Sequence, residues 1–159
     1  MTKQTRWALL SYRLPREPSS PRIAVWRRLK ALGVAHIGDG MVALPLDART
    51  REQLEWVANA VREAGGEANL WLADPTSSAQ HRALAQQLAD ARAAEYQAVI
   101  DAAGAADASR RTVARLRREL RRINRRDYFP PAERATAKTA VDALAATVVE
   151  EAAGRKTPR

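Results

Sequence analysis

The chain has 159 residues, 46% of them apolar but only 5% aromatic, with no cysteine and a formal net charge of +9. The lack of cysteine excludes disulfides, thiolate metal sites and thiol redox chemistry. No window reaches the roughly 18 consecutive apolar residues of a membrane span, and "MTKQTRWALLSY" is too short an apolar start for a secretory signal, so a cytoplasmic protein held together by packing is expected.

Residues Arg6 to Leu14 read as a strand carrying Trp7, Leu9 and Leu10, closed by Pro15. The joint that follows, "YRLPREPSSPR", packs three prolines and three arginines ahead of a helix opened by Ser20 as N-cap and Pro21 at the first helical position. That helix buries Val25, Leu29 and Leu32 and stops at Gly33. "VAHI" and "MVALPL" flank the turn "GDG" as a tight hairpin. Thr50 with Gln53 has capping-box spacing, and Leu54, Val57 and Val61 mark a second helix that ends at Gly65-Gly66. "EANLWLA" is a fourth strand. The order predicts an α+β fold: a ferredoxin-like βαββαβ antiparallel sheet over residues 1–75, both helices on one face, with a C-terminal helical extension over 76–159.

Within the extension, Ser77 with Gln80 caps a helix carrying Leu84, Leu88, Ala91, Val99 and Ile100 to about Ala103, and "GAADAS" interrupts it. A basic helix over about 109–126 holds nine arginines against the single acid Glu119, leaving about +1 for the rest of the chain. "DYFPP" forces a corner, a last helix runs from about Ala132 to Ala153 with Val141, Leu144 and Val148, and "GRKTPR" is a frayed tail.

The basic helix carries the strongest signal. Val113, Leu116, Leu120 and Ile123 form one apolar stripe for docking, so arginines occupy most of the remaining circumference. Such a face is either simply solvated or meets a polyanion; nine like charges repel one another and gain from phosphate, which arginine also fits through its bidentate fork. Arg115, Arg118, Arg122 and Arg125 are the expected contacts to a DNA backbone. Tyr128 and Phe129, the chain's one phenylalanine, are expected to pin the corner structurally and so aim that helix.

The joint has two readings. Arg13, Arg16, Arg22 and Arg27 are expected to surround a helix N-terminus suited to a small oxyanion or phosphate. Equally, the prolines set a turn and the arginines pair with Glu17 or Asp47. Enzymatic signals are weak: His36 and His81 lie in different elements, His81 is expected to face solvent, Ser11 has no evident base beside it, and no Gly-rich phosphate loop is present. No catalytic residue, metal or cofactor is expected. Trp7, Trp26, Trp56 and Trp71 fall one per element and are most simply core.

"WALLSYRLPREPSSPRIAVWRRLKALG", "TREQLEWVANAVREAGGEANLW" and "RRINRRDYF" together resemble the N-terminal domain of the bacterial chromate-resistance regulator ChrB family, over about Arg6 to Leu144. More distantly the sequence is similar to the ferredoxin-like domains of the phenylacetate-degradation repressors and of the small CRISPR adaptation nucleases. The nucleases bear an acid near the end of their first strand; "LLSYRL" has none, so phosphodiester cleavage is not expected. The resemblance implies chromate-responsive control of transcription, and a further domain, outside this sequence, in the family's longer members. The combined expectation is a DNA-binding regulator responsive to an oxyanion such as chromate or sulfate, not membrane-bound, acting as a homodimer. The alternatives are an accessory or enzymatic domain using the arginine pocket for an anionic metabolite, and an interaction module whose basic helix meets an acidic protein.

Overall fold

The computed structural model describes residues 6–105 and 107–155; the expected frayed tail lies largely outside them. The chain divides into two compact units, Met1–Leu88 and Ala89–Arg159. The first contains β1 (Trp7–Arg13), α1 (Ser20–Leu32), β2 (Ala35–Gly38), β3 (Met41–Pro45), α2 (Ala48–Glu63), β4 (Glu67–Ala73) and the opening turns of α3 (Ser78–Ala105); the second contains the rest of α3, α4 (Arg110–Asn124) and α5 (Glu133–Gly154). The first unit is thus α+β, with one antiparallel four-stranded sheet in the order β2-β3-β1-β4.

The two interior strands, β1 and β3, carry the apolar runs "WALL" and "MVALP", as strands covered on both faces require. Ala8 and Leu10 are fully buried and lie opposite Leu44 and Val42, while α2 packs on β1 and β4 and α1 packs on α2, with Val25, Leu29, Leu54, Val57 and Val61 all buried. Residues opposed in antiparallel register share a face, so Trp7 lies on the other side of the sheet from Ala8 and Leu10. There its indole Nε1 donates to His81 Nδ1 on the first turn of α3 at 3.2 Å, with the rings edge-on at 5.7 Å. His81 is therefore half-buried rather than facing solvent. The backbone of His36 on edge strand β2 is bonded by the Gln87 side-chain amide, which accepts from its N–H and donates to its C=O. This blunts one exposed edge.

Local capping departs from expectation in two places. At α2 the N-cap is Asp47: its Oδ1 accepts from Thr50 N at 2.7 Å while Thr50 Oγ1 accepts from Asp47 N at 2.9 Å. Thr50 is the third helical position rather than the cap, and Gln53 Oε1 is left buried without a partner. At α1 the cap residue is Ser19, whose side chain makes no capping bond. Of the four tryptophans only Trp7 is core, at 1% exposure; Trp26, Trp56 and Trp71 are 55%, 62% and 57% exposed. Val25 and Leu29 define the inward face of α1, and Trp26 is rotated about 100° from Val25. Likewise Trp56 points away from the Leu54–Val57–Val61 stripe.

The second unit has its own core of Tyr96, Val99, Val113, Leu116, Ile123, Ala137, Val141 and Leu144. The stripe expected on the basic helix is the buried one, with Leu120 partly buried beside it. Ser109 caps α4 by accepting from Thr112 N at 3.1 Å.

Candidate functional site

The Pro-Arg joint forms one wall of a cleft of about 690 Å³ lined by Tyr12, Leu14, Ser19, Arg22, Ile23, Trp26, Asp39 and Gly40. Gly40 sits at φ +70°, and a Cβ there would stand 2.5 Å from the Tyr12 carbonyl oxygen, so only glycine lets the β2–β3 turn close against β1. Tyr12 N donates to Gly40 O at 2.8 Å, which fixes that approach. Partial burial pushes the Tyr12 hydroxyl above its ordinary range. Arg22 lines the cleft; Arg13, Arg16 and Arg27 do not, and all four are exposed. Arg27 is rotated about 140° from Arg22 on α1. Neither Glu17 nor Asp47 forms an ion pair with any of the four among the described residues.

On α4 the geometry is more concentrated. Arg115, Arg118, Arg122 and Arg125, with Glu119 and Arg121, line one shallow surface of about 480 Å³. The apolar stripe holds α4 by its opposite side, so these four guanidinium groups share a solvent face. Glu119 lies 3.2 Å from Arg122, an exposed pair. That pair contributes little to stability and leaves the face strongly cationic.

The corner after α4 is organised by residues that sequence reasoning passed over. Tyr96 is fully buried, and its hydroxyl lies 2.6 Å from Asn124 Oδ1 and 2.8 Å from Asp127 Oδ2. The Asp127 side chain is wholly buried and Arg134 Nη1 stands 3.6 Å from it. Alongside, Glu95 lies between two arginines: Arg126 Nη1 donates to its Oε1 at 2.7 Å, and Arg92 Nε stands 2.8 Å from Oε2, too bent for a hydrogen bond. Arg92 is only 6% exposed, and that burial lowers its pKa against the opposing pull of Glu95. Burial and the bond to Asp127 push the Tyr96 hydroxyl up. These groups join α3 to the end of α4 and fix where the arginine face points. Tyr128 and Phe129 sit at the same corner, half-buried. A readable signal existed: Arg92, Glu95 and Tyr96 continue the helical stripe of Leu88 and Val99.

Among the described residues, no three His, Asp or Glu side chains stand together as metal ligands, and no helix is long and apolar enough to cross a membrane. Residues 22–111, more than half the chain, match the model of the N-terminal domain of Protein ChrB. The chain belongs to this family. It is 34% identical over 86 residues to Protein ChrB of Cupriavidus metallidurans CH34, a stretch that covers 51% of this chain but 26% of that relative. No solved structure matches. The family match takes in Arg22 and Arg27 and ends at Arg111, the second residue of α4, so the arginine face and Asp127 stand on their own geometry.

Proposed function

We propose that this ChrB N-terminal-family protein is a DNA-binding, oxyanion-responsive transcriptional regulator in chromate resistance, rather than an enzyme, built on a ferredoxin-like βαββαβ unit. The observation that carries the reading is the convergence of Arg115, Arg118, Arg122 and Arg125 on one exposed face of α4. Four cations at helical spacing suit successive phosphates, and phosphate contacts supply affinity and register rather than base specificity. A homodimer would present two such faces to a symmetric operator in the cytoplasm. The sheet order β2-β3-β1-β4 around two helices supports the ferredoxin-like assignment.

The effector site is the Pro-Arg cleft. Arg22 supplies the charge beside the uncapped α1 N-terminus, with Arg13, Arg16 and Arg27 raising the surrounding positive potential. One observation favours a second reading, a small anionic metabolite: Leu14, Ile23 and Trp26 give the same cleft apolar walls.

The test is fluorescence anisotropy with the duplex upstream of the gene and a random duplex, over a range of salt. Each phosphate contact contributes a log–log slope of about −0.9, so Arg118→Ala with Arg122→Ala should make the slope about 1.8 shallower. An unchanged slope overturns the interface, and equal affinity for both duplexes overturns the regulator. A sulfate- or chromate-specific rise in melting temperature, lost in Arg22→Ala, supports the effector site.

A further inference from the structure

The flank of α4 that turns toward α5 differs from its outer face. Arg110, Arg117 and Arg121 recur at i, i+7 and i+11 and fall within about 40° of one another around the helix. Their centre lies about 100° from that of Arg115, Arg118, Arg122 and Arg125. Opposite them α5 presents Val141, Ala145, Val148 and Val149, the last 68% exposed. The two helices enclose a cleft of about 410 Å³ near Arg110 and Val149 and another of about 710 Å³ near Pro131 and Lys138. Both are lined by Arg117 and Arg121, so they are two ends of one groove. Its one acid, Asp142, is held by Lys138 at 2.7 Å. The Lys138 ammonium, with Arg117 adding to the field, keeps that carboxyl below the usual range.

We propose that this α4–α5 groove docks an acidic amphipathic helix of a partner protein. From Arg110 to Asn124 the groove runs about 21 Å at 1.5 Å per residue, the length of a helix of about four turns and far more than a small anion needs. The floor of valine, alanine and Leu120 calls for an apolar stripe, and the row of arginines calls for carboxylates beside it. A DNA backbone offers no apolar surface to such a floor. A second copy presenting its own α4 would bring like charges together. The groove shares Arg121 with the outer surface and Arg118 reaches one end of it, but the apolar floor, Arg110 and Arg117 belong to the groove alone, so the inference does not depend on the DNA reading.

The probe is a labelled synthetic peptide of about 18 residues with leucines at i, i+3, i+4 and i+7 spacing flanked by glutamates, titrated by anisotropy into the full chain. The controls are a scrambled peptide of the same composition and a patterned peptide with lysine for glutamate. The patterned acidic peptide should bind at least about tenfold more tightly than either control. Val149→Asp and Arg117→Gln should each weaken it about tenfold, while Arg115→Ala with Arg122→Ala leaves it within about twofold. Val149 and Arg117 are exposed, and circular dichroism melting checks that both variants stay folded. Equal binding of the scrambled peptide, or binding indifferent to Val149→Asp and Arg117→Gln, overturns the proposal. So does concentration-dependent self-association abolished by Val149→Asp, which would make the occupant a second copy.

Discussion

Replacing Tyr96 by phenylalanine removes one oxygen atom and leaves the ring packing in place, so no cavity contributes to its effect. What is lost is the 2.8 Å bond to the buried Asp127 carboxylate, together with the 2.6 Å contact to Asn124. Asp127 Oδ1 already lacks a hydrogen-bond partner, so the carboxylate would keep only Arg134 at 3.6 Å and the field of Arg92. A hydrogen bond to a charged group contributes about 1.5–3 kcal/mol, and stranding a buried charge puts this case at the upper end, ~3 kcal/mol. A unit of roughly 70 residues has a total stability of about 4–10 kcal/mol, so this is a large fraction of it. With a urea slope near ~1 kcal/mol/M the midpoint should fall by about 3 M. The assay is urea unfolding followed by far-ultraviolet circular dichroism. Tryptophan fluorescence reads the first unit separately, because Trp7, Trp26, Trp56 and Trp71 all precede Ala89. Adding Asp127→Leu to Tyr96→Phe should recover more than half the loss, since no carboxylate is left stranded and Arg92 keeps Glu95. A midpoint shift below about 0.5 M in Tyr96→Phe would show that the carboxylate does not depend on this hydroxyl, and the account of the corner would fail.

The same hydroxyl makes the protein sensitive to alkali. Burial and Asp127 hold Tyr96 protonated in the folded chain beyond the ordinary value of 10.0. Its contribution is therefore fully present below about pH 10 and is lost as pH rises above it. Melting temperature should fall between about pH 10 and 12 with a shallower slope in Tyr96→Phe, and Tyr12→Phe should flatten it in the same sense. Gly40→Ala places a Cβ 2.5 Å from the Tyr12 carbonyl at φ +70° and should cost ~2–4 kcal/mol by tryptophan fluorescence, whereas Gly38→Ala, with open space around it, should cost under ~1. Phe129 is half-buried, so Phe129→Ala should cost ~2 kcal/mol, about half the value for a core phenylalanine, and limited proteolysis should cut sooner after Ser109.

Elements were legible where period and punctuation agree. Gly33, the "GDG" turn and Gly65-Gly66 bracket segments whose apolar spacing is helical or alternating, and the strands and helices fall within a few residues of those marks. Placement of polar and aromatic groups was legible only where one residue type admits one environment. The α4 stripe was, because four aliphatic residues among nine arginines have a single way to face inward. Trp26 and Trp56 were not: an aromatic reads as core on composition alone, and only its rotation relative to Val25 or Val57 sends it outward. Asp47 was hidden as a cap because it follows directly on "MVALPL", where only Leu46 separates the strand end at Pro45 from the helix cap.

The corner network shows the harder limit. Arg92 and Glu95 sit in an alanine-rich helix and read as solvated charges, yet each finds its partner some thirty residues later, at Arg126 and Asp127. Sequence states a charge but not its burial, and a buried charge becomes tolerable only when the fold brings a counter-charge to it. Leu88, Arg92, Tyr96, Val99 and Ala103 nevertheless lie on one helical face. An arginine and a tyrosine interrupting an aliphatic stripe, rather than standing outside it, is the pattern that marks an inward-facing polar pair, and it points to Asp127, the one acid of "RRDYF", as the group that completes it.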